Sequence, residues 1–132
     1  MSVSKGRSFY YEAMFLVPQS TAADLNTVTE HITGILTKSH ARIIALKKWD
    51  ERRLAFEIKK QKRGIYFLAY FESDPVNLAH IERDSNLSET ILRVLVTRAD
   101  HLTEEEMIAA DARQLIADEA ELRRDGGSGY GS

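Results

Sequence analysis

The chain predicts an α+β fold: a ferredoxin-like βαββαβ unit, with a four-stranded antiparallel sheet carrying two helices on one face, followed by a C-terminal helical extension. Three observations predict it. Residues 9–17, 41–60, 65–72 and 91–98 are apolar, aromatic or β-branched runs of strand character. Apolar residues at helical spacing separate the first run from the second and the third from the fourth. Right-handed crossovers then place both helices on the same side of the sheet. The opposite sheet face is left bare.

Each element has a local reason. Residues 1–8 are short, polar and slightly basic, which predicts a flexible lead-in. Phe9 to Val17 is aromatic and aliphatic almost throughout and reads as a central strand, ended by Pro18. Thr21 with Asp24 resembles a capping box, and Leu25, Val28, Ile32, Ile35 and Leu36 mark a helix that ends near Ser39. Ala41 to Lys60 is too long to run straight, and the polar Asp50-Glu51 step suggests a bend or bulge. Gln61 to Gly64 is expected to turn the chain, with Gly64 free to take a positive φ, before a strand over Ile65 to Glu72. Asp74-Pro75 starts a short helix that turns Leu78 and Ile81 inward. Ile91 to Arg98 is the last strand.

The ferredoxin-like domain spans 9–99, and 100–125 forms an acidic helical extension. Thr103 and Glu106 form a capping box there, and Ile108, Ala112, Leu115, Ile116 and Leu122 form a moderate apolar stripe. Arg123-Arg124 before Gly126-Gly127 closes the helix, and the Gly/Ser-rich residues 126–132 are expected to be disordered.

Strand parity says what the bare face carries. With Ala13, Phe15 and Val17 turned to the helices, Glu12, Met14 and Leu16 point away; likewise Tyr66, Leu68 and Tyr70 oppose Ile65, Phe67, Ala69 and Phe71. Leu54, Phe56 and Ile58 share one face of the long strand, and Arg53, Ala55 and Glu57 the other. An open apolar patch of this kind marks an interface, unless the C-terminal tail folds back over it.

Charge sharpens the picture. The 132 residues carry a net charge of −2, yet residues 42–63 hold nine basic side chains against three acidic ones, and residues 100–125 the reverse. A basic hairpin suits phosphate, and an acidic tail either avoids phosphate or meets a basic protein. With no cysteine, disulfides and thiolate metal sites are impossible. The N-terminus has no signal-peptide stretch and no run approaches a membrane span, so a soluble cytoplasmic protein without a membrane partner is expected.

No catalytic constellation assembles. His31, His40, His80 and His101 are scattered singly, and there is no nucleophile elbow, P-loop or dinucleotide fingerprint. No enzyme activity, cofactor, metal or small-molecule substrate is therefore expected. Arg63-Gly64-Ile65-Tyr66-Phe67-Leu68-Ala69-Tyr70 partly matches the RNA-recognition-motif signature, keeping the basic residue, the glycine, Phe67 and the final aromatic. A stand-alone single-stranded RNA-binding module is thus one alternative; a small ferredoxin-like enzyme or ligand sensor is another.

With these residues in hand, the chain resembles the bacterial small-subunit ribosomal protein number six family. The resemblance runs from about Phe9 to Arg98 and rests on Tyr11-Glu12, on Trp49 with Arg52-Arg53-Leu54-Ala55-Phe56, on the Lys59-Lys60 and Gly64 hairpin, and on Leu92-Arg93. Glu57 stands where the family often has proline, and Ser85 where it usually has a large apolar group. The resemblance implies a structural protein that binds the central domain of small-subunit (16S-type) rRNA together with small-subunit ribosomal protein number eighteen. On that basis Met14, Leu54, Phe56, Tyr66 and Leu68 are candidates for the protein partner. Arg52, Arg53, Arg93 and Arg98, with Tyr11, are candidates for RNA.

Overall fold

The computed structural model describes residues 7–129; most of the expected lead-in, and residues 130–132 of the Gly/Ser tail, lie outside them. Its strands are β1 (Phe9–Pro18), β2 (Arg42–Ile58), β3 (Gln61–Ser73) and β4 (Arg93–Arg98), and its helices α1 (Leu25–Lys38), α2 (Leu78–Leu87), α3 (Glu104–Ala109) and α4 (Arg113–Gly129). The sheet is antiparallel in the order β2-β3-β1-β4, the ferredoxin-like arrangement. Ala13, Phe15 and Val17 of β1 and Ile65, Phe67, Ala69 and Phe71 of β3 have no exposed surface, and they pack with Leu25, Val28, Ile32 and Leu36 of α1 and Ile81 of α2.

Two local readings are corrected. Asp24, rather than a Thr21–Asp24 box, caps α1 by accepting from the Thr27 N–H, while the Thr21 hydroxyl donates to the Pro18 carbonyl across a 3₁₀ turn over Gln19–Asp24. The hairpin turn is Lys59-Lys60, both residues at positive φ (50° and 69°), with Ile58 opposite Gln61. This two-residue loop has the sign pattern of a type I′ turn, whose twist matches that of the flanking strands. Gly64 lies inside β3, opposite Pro18 and Arg52, at a φ that is not positive. Its lack of a side chain serves packing instead: a Cβ there would stand 2.5 Å from Leu16 Cδ1 and 3.0 Å from the Val17 carbonyl oxygen. Asp74 does cap the segment into α2, accepting from the Val76 N–H ahead of Pro75–Asn77.

The extension is two helices rather than one. Thr103 and Glu106 form the complete capping box of α3, with both reciprocal bonds. α3 lies against the far end of the otherwise bare face: Glu104 accepts 2.6 Å from the Tyr10 hydroxyl and 2.8 Å from Arg42, and Tyr10, Glu72 and Arg42 are cross-strand neighbours there. The chain then breaks helix at 110–112 to dock on the outer edge of β2. Leu46 N–H donates to Asp111, Ala112 N–H donates to the Leu46 carbonyl, and the Arg113 guanidinium reaches the Ile44 carbonyl. An edge strand whose backbone would otherwise be open is covered in this way.

α4 returns to the helix side, where Ile116 joins the core and Ala120 packs against it. There Lys48 reaches Glu119 at 2.6 Å, and Arg123 bridges Glu119 and Glu51 at 2.8 and 3.0 Å. Burial works against the Lys48 charge, but Glu119 and Glu51 outweigh it and hold the ammonium above its ordinary range. The expected stripe is only partly inward: Ile116 is buried, whereas Ile108, Leu115 and Leu122 are exposed, and the buried apolar residue of α3 is Met107. α4 also runs past Arg123-Arg124 to Gly129. Glycine weakens a helix without ending it while the backbone stays right-handed.

Candidate functional site

Between α3 and the β2–β3 hairpin the sheet face stays uncovered. Register arranges it in rows across β4, β1, β3 and β2: Thr97–Glu12–Tyr70–Ala45, then Leu95–Met14–Leu68–Lys47, then Arg93–Leu16–Tyr66–Asp50. The last row runs into an aromatic and cationic cluster. The Lys48-to-Asp50 register shift makes Trp49 the extra residue of a bulge, which turns its indole edge-on to Tyr66 with 5.7 Å between centroids. Arg52 lies 4.8 Å above the Trp49 ring and 5.9 Å from Tyr66, and it pairs with Asp50 at 2.6 Å. Donation from Arg52, with the Glu51 N–H as a further donor, holds the Asp50 carboxyl below its usual range.

Beyond the cluster a larger bulge opens. Arg53 pairs with Arg63 and Ile58 with Gln61, so the four residues Leu54 to Glu57 stand opposite Lys62 alone. The strict alternation expected along this stretch is therefore lost. The bulge leaves Phe56 82% exposed, and Leu54, Phe56 and Ile58 line a shallow groove with Tyr66 and Arg93.

The structure thus gathers Arg52, Arg93, Leu54, Phe56 and Tyr66, with half-buried Met14 one row away. Arg53 is exposed on the neighbouring hairpin. Two expected residues lie elsewhere, and a third is covered. Tyr11 is 3% exposed, stacked on Phe71 in the core with 5.7 Å between centroids, because it shares the parity of Ala13 and Phe15. Burial pushes its phenol pKa up. Arg98 is the cross-strand neighbour of Tyr11 and so belongs to the helix side; it lies 3.9 Å above the Phe9 ring and pairs with Asp100 at 2.7 Å. Leu68 does face the open side, but at 6% exposure it is an underlayer between Met14 and Lys47.

Two surface residues escaped the sequence reading. Leu95, 63% exposed beside Met14, was findable by extending the alternation Arg93, Leu95, Thr97 to β4. Trp49, 45% exposed, was not, since only the bulge aims it at this face. Among the described residues no group of three or more His, Asp or Glu side chains converges as a metal site, and no helix is long and apolar enough to cross a membrane.

A ferredoxin-like domain with an open apolar sheet face beside an arginine-bearing hairpin defines an assembly protein that meets macromolecules over a surface. Comparison with known proteins gives the family. The family model described as "Ribosomal protein S6" matches residues 10–98. Small ribosomal subunit protein bS6 of Syntrophotalea carbinolica is 33% identical over 112 residues, covering 85% of this chain and 97% of that protein. The same protein of Fusobacterium nucleatum is 34% identical over 91 residues, 68% of this chain and 97% of its own length. The crystal structure of 30S ribosomal protein S6 from Thermotoga maritima superposes with a TM-score of 0.64 at 27% identity, covering 78% of this chain and 98% of that one. The chain belongs to the ribosomal protein S6 family, structural rRNA-binding proteins of the small subunit rather than enzymes.

Proposed function

We propose that this protein binds the central domain of small-subunit rRNA as a pair with small-subunit ribosomal protein number eighteen, on bacterial ribosomes in the cytoplasm. The observation that carries the reading is the continuity of two surfaces. Tyr66 links the Met14–Leu95 row of that face, over buried Leu16 and Leu68, to Arg52, Arg93 and the bulge that presents Phe56. Phe56, Leu54, Tyr66 and Met14 form the contact for the protein partner, with Leu68 as support beneath and Trp49 and Leu95 extending it. Large aromatics and arginine in one desolvatable patch are the side chains that dominate interface energies.

Arg52, Arg53 and Arg93 supply the RNA contact. Arg53 stands directly across from Arg63, and Lys62, Lys59 and Lys60 follow at the tip. Like charges opposite one another destabilise a ladder, and a phosphate backbone relieves that repulsion. Lysines at two positive-φ turn positions, where asparagine and glycine are favoured, support the same role. Contacts of this kind position a protein on RNA rather than read sequence. In this account 9–99 is the ribosomal-protein domain and 100–125 an extension that braces it.

The partial RNA-recognition signature supports a base-stacking module, but Glu12 weighs against it. Tyr70 is hydrogen-bonded to Glu12, and burial with that carboxylate raises its phenol pKa. A carboxylate among the stacking positions repels the phosphates of a bound strand.

The test of the interface is Tyr66→Glu. It abolishes pairing with the number-eighteen protein in a pull-down while circular dichroism and melting stay near wild type. Unchanged pairing would place the partner on another face.

A further inference from the structure

On the side of the molecule away from the open sheet face, the C-terminal end of α1 and the start of α2 enclose a small crevice. Lys38, Ser39 and His40 enter it from α1, and Asn77, His80 and Arg83 from α2. Histidines that are scattered along the chain are here brought together. We propose that this crevice is a phosphate-binding site, a second RNA-backbone contact separate from the hairpin arginines.

Three observations carry it. The first is composition: two permanent cations and two imidazoles line one concavity, against the single carboxylate of Asp84. Arg83 approaches Asp84 only loosely, its Nε 3.6 Å from Oδ1, a distance beyond hydrogen bonding, so its planar fork remains able to grip an oxyanion. The second is an orphaned donor. Ser39 is 4% exposed, and its hydroxyl has no hydrogen-bond partner in the protein. Buried hydroxyls are ordinarily paired, so Ser39 keeps an unused donor in the wall behind the crevice. The third is the backbone of His40. The Ala41 N–H donates to Leu36 and the His40 N–H to Thr37, which together make a Schellman ending for α1 with His40 at φ 65°. Glycine is the usual residue at that position, and a side chain held there against its preference points to a use for the side chain. The same bonds occupy the Leu36 and Thr37 carbonyls, removing acceptors that would repel an anion. Across the crevice, Asn77 at the start of α2 makes no side-chain capping bond.

The proposal extends the RNA-binding reading of the family but depends on neither the number-eighteen partner nor the sheet face. The test is a titration of the full chain, followed by amide NMR, with inorganic phosphate and with a 12-nucleotide polyuridine strand, against sodium chloride at matched ionic strength. Saturable shifts at the amides of 38–40 and 77–80 with both phosphate and the oligonucleotide are expected. Lys38→Ala with Arg83→Gln weakens both by tenfold or more. Shifts equal to those from chloride, or insensitive to the double substitution, would overturn the site. Saturation by inorganic phosphate but not by the oligonucleotide would overturn its assignment to RNA. Loss of partner pairing would leave these amides untouched, so failure of the sheet-face reading is distinguishable.

Discussion

Replacing Gly64 with alanine separates a packing role from a turn role, and the structure sets its size. The new Cβ would lie 2.5 Å from Leu16 Cδ1, against an optimal carbon–carbon separation of about 3.5–4.0 Å. Leu16 must therefore retreat by about 1 Å or more, and at 1% exposure it has little room to do so. The Val17 carbonyl, 3.0 Å away, belongs to a paired strand and is stiffer still. Overpacking of this order costs about 1–3 kcal/mol. The reduced freedom of the unfolded chain returns about 0.4–1 kcal/mol. Gly64→Ala is thus expected to destabilise by about 1–2 kcal/mol in urea unfolding at neutral pH, with an unchanged m-value. Gly64→Asn costs more, although asparagine would suit a positive-φ turn. In a Leu16→Ala background, itself costing about 2–5 kcal/mol, the penalty for Gly64→Ala shrinks because the clashing methyl is gone, and only the Val17 carbonyl contact remains. A stabilising Gly64→Ala, or the same penalty in both backgrounds, would rule out the packing role of Gly64.

Two further outcomes concern the extension. Asp111→Ala removes the acceptor of the Leu46 N–H and a partner of Arg113, at a cost of about 1–3 kcal/mol for the buried donor left behind; hydrogen exchange at Leu46 rises first, and unchanged exchange there would contradict the edge-covering role. Stability should also fall in acid through the α4 ion cluster. Donation from Gln19 and Lys48 lowers Glu51; burial opposes the Glu119 charge, but Lys48 and Arg123 outweigh it, so both carboxyls sit below their ordinary range. Their contribution is complete above the unfolded glutamate value of about 4.3 and is lost as pH falls through the lowered folded values. Lys48 works in the other sense, its contribution complete below the ordinary lysine range and lost as pH rises through its raised value. Melts of wild type and Lys48→Met should converge as pH falls below about 4.3; parallel curves would show that the cluster contributes nothing.

The sheet was legible because its two central strands obey period-two alternation without interruption. Phe15, Phe67 and Phe71 fall on the core side as parity requires. What parity could not carry was any residue at a register shift. Trp49 and Leu54 to Glu57 are aimed by bulges, and bulges are set by pairing with β3 rather than by the residues themselves. Tyr11 differs: the alternation that buries Ala13 also buries Tyr11, so its side chain belongs to the core whatever its place in the family resemblance. The break between α3 and α4 was invisible because its causes, Leu46 and Ile44, lie more than sixty residues away in the chain. Gly64 shows the same limit, since a glycine kept for space and one kept for positive φ look alike in sequence.

If the open sheet face pairs with a protein, a chain of net charge −2 holds rRNA firmly only through that partner. The direct measurement is the affinity of this chain for a central-domain rRNA fragment, with and without the number-eighteen protein, at fixed salt. Weak binding alone and much tighter binding with the partner, lost again in Tyr66→Glu, is the predicted result. Tight, sequence-selective binding by this chain alone, unaffected by the partner, would contradict it.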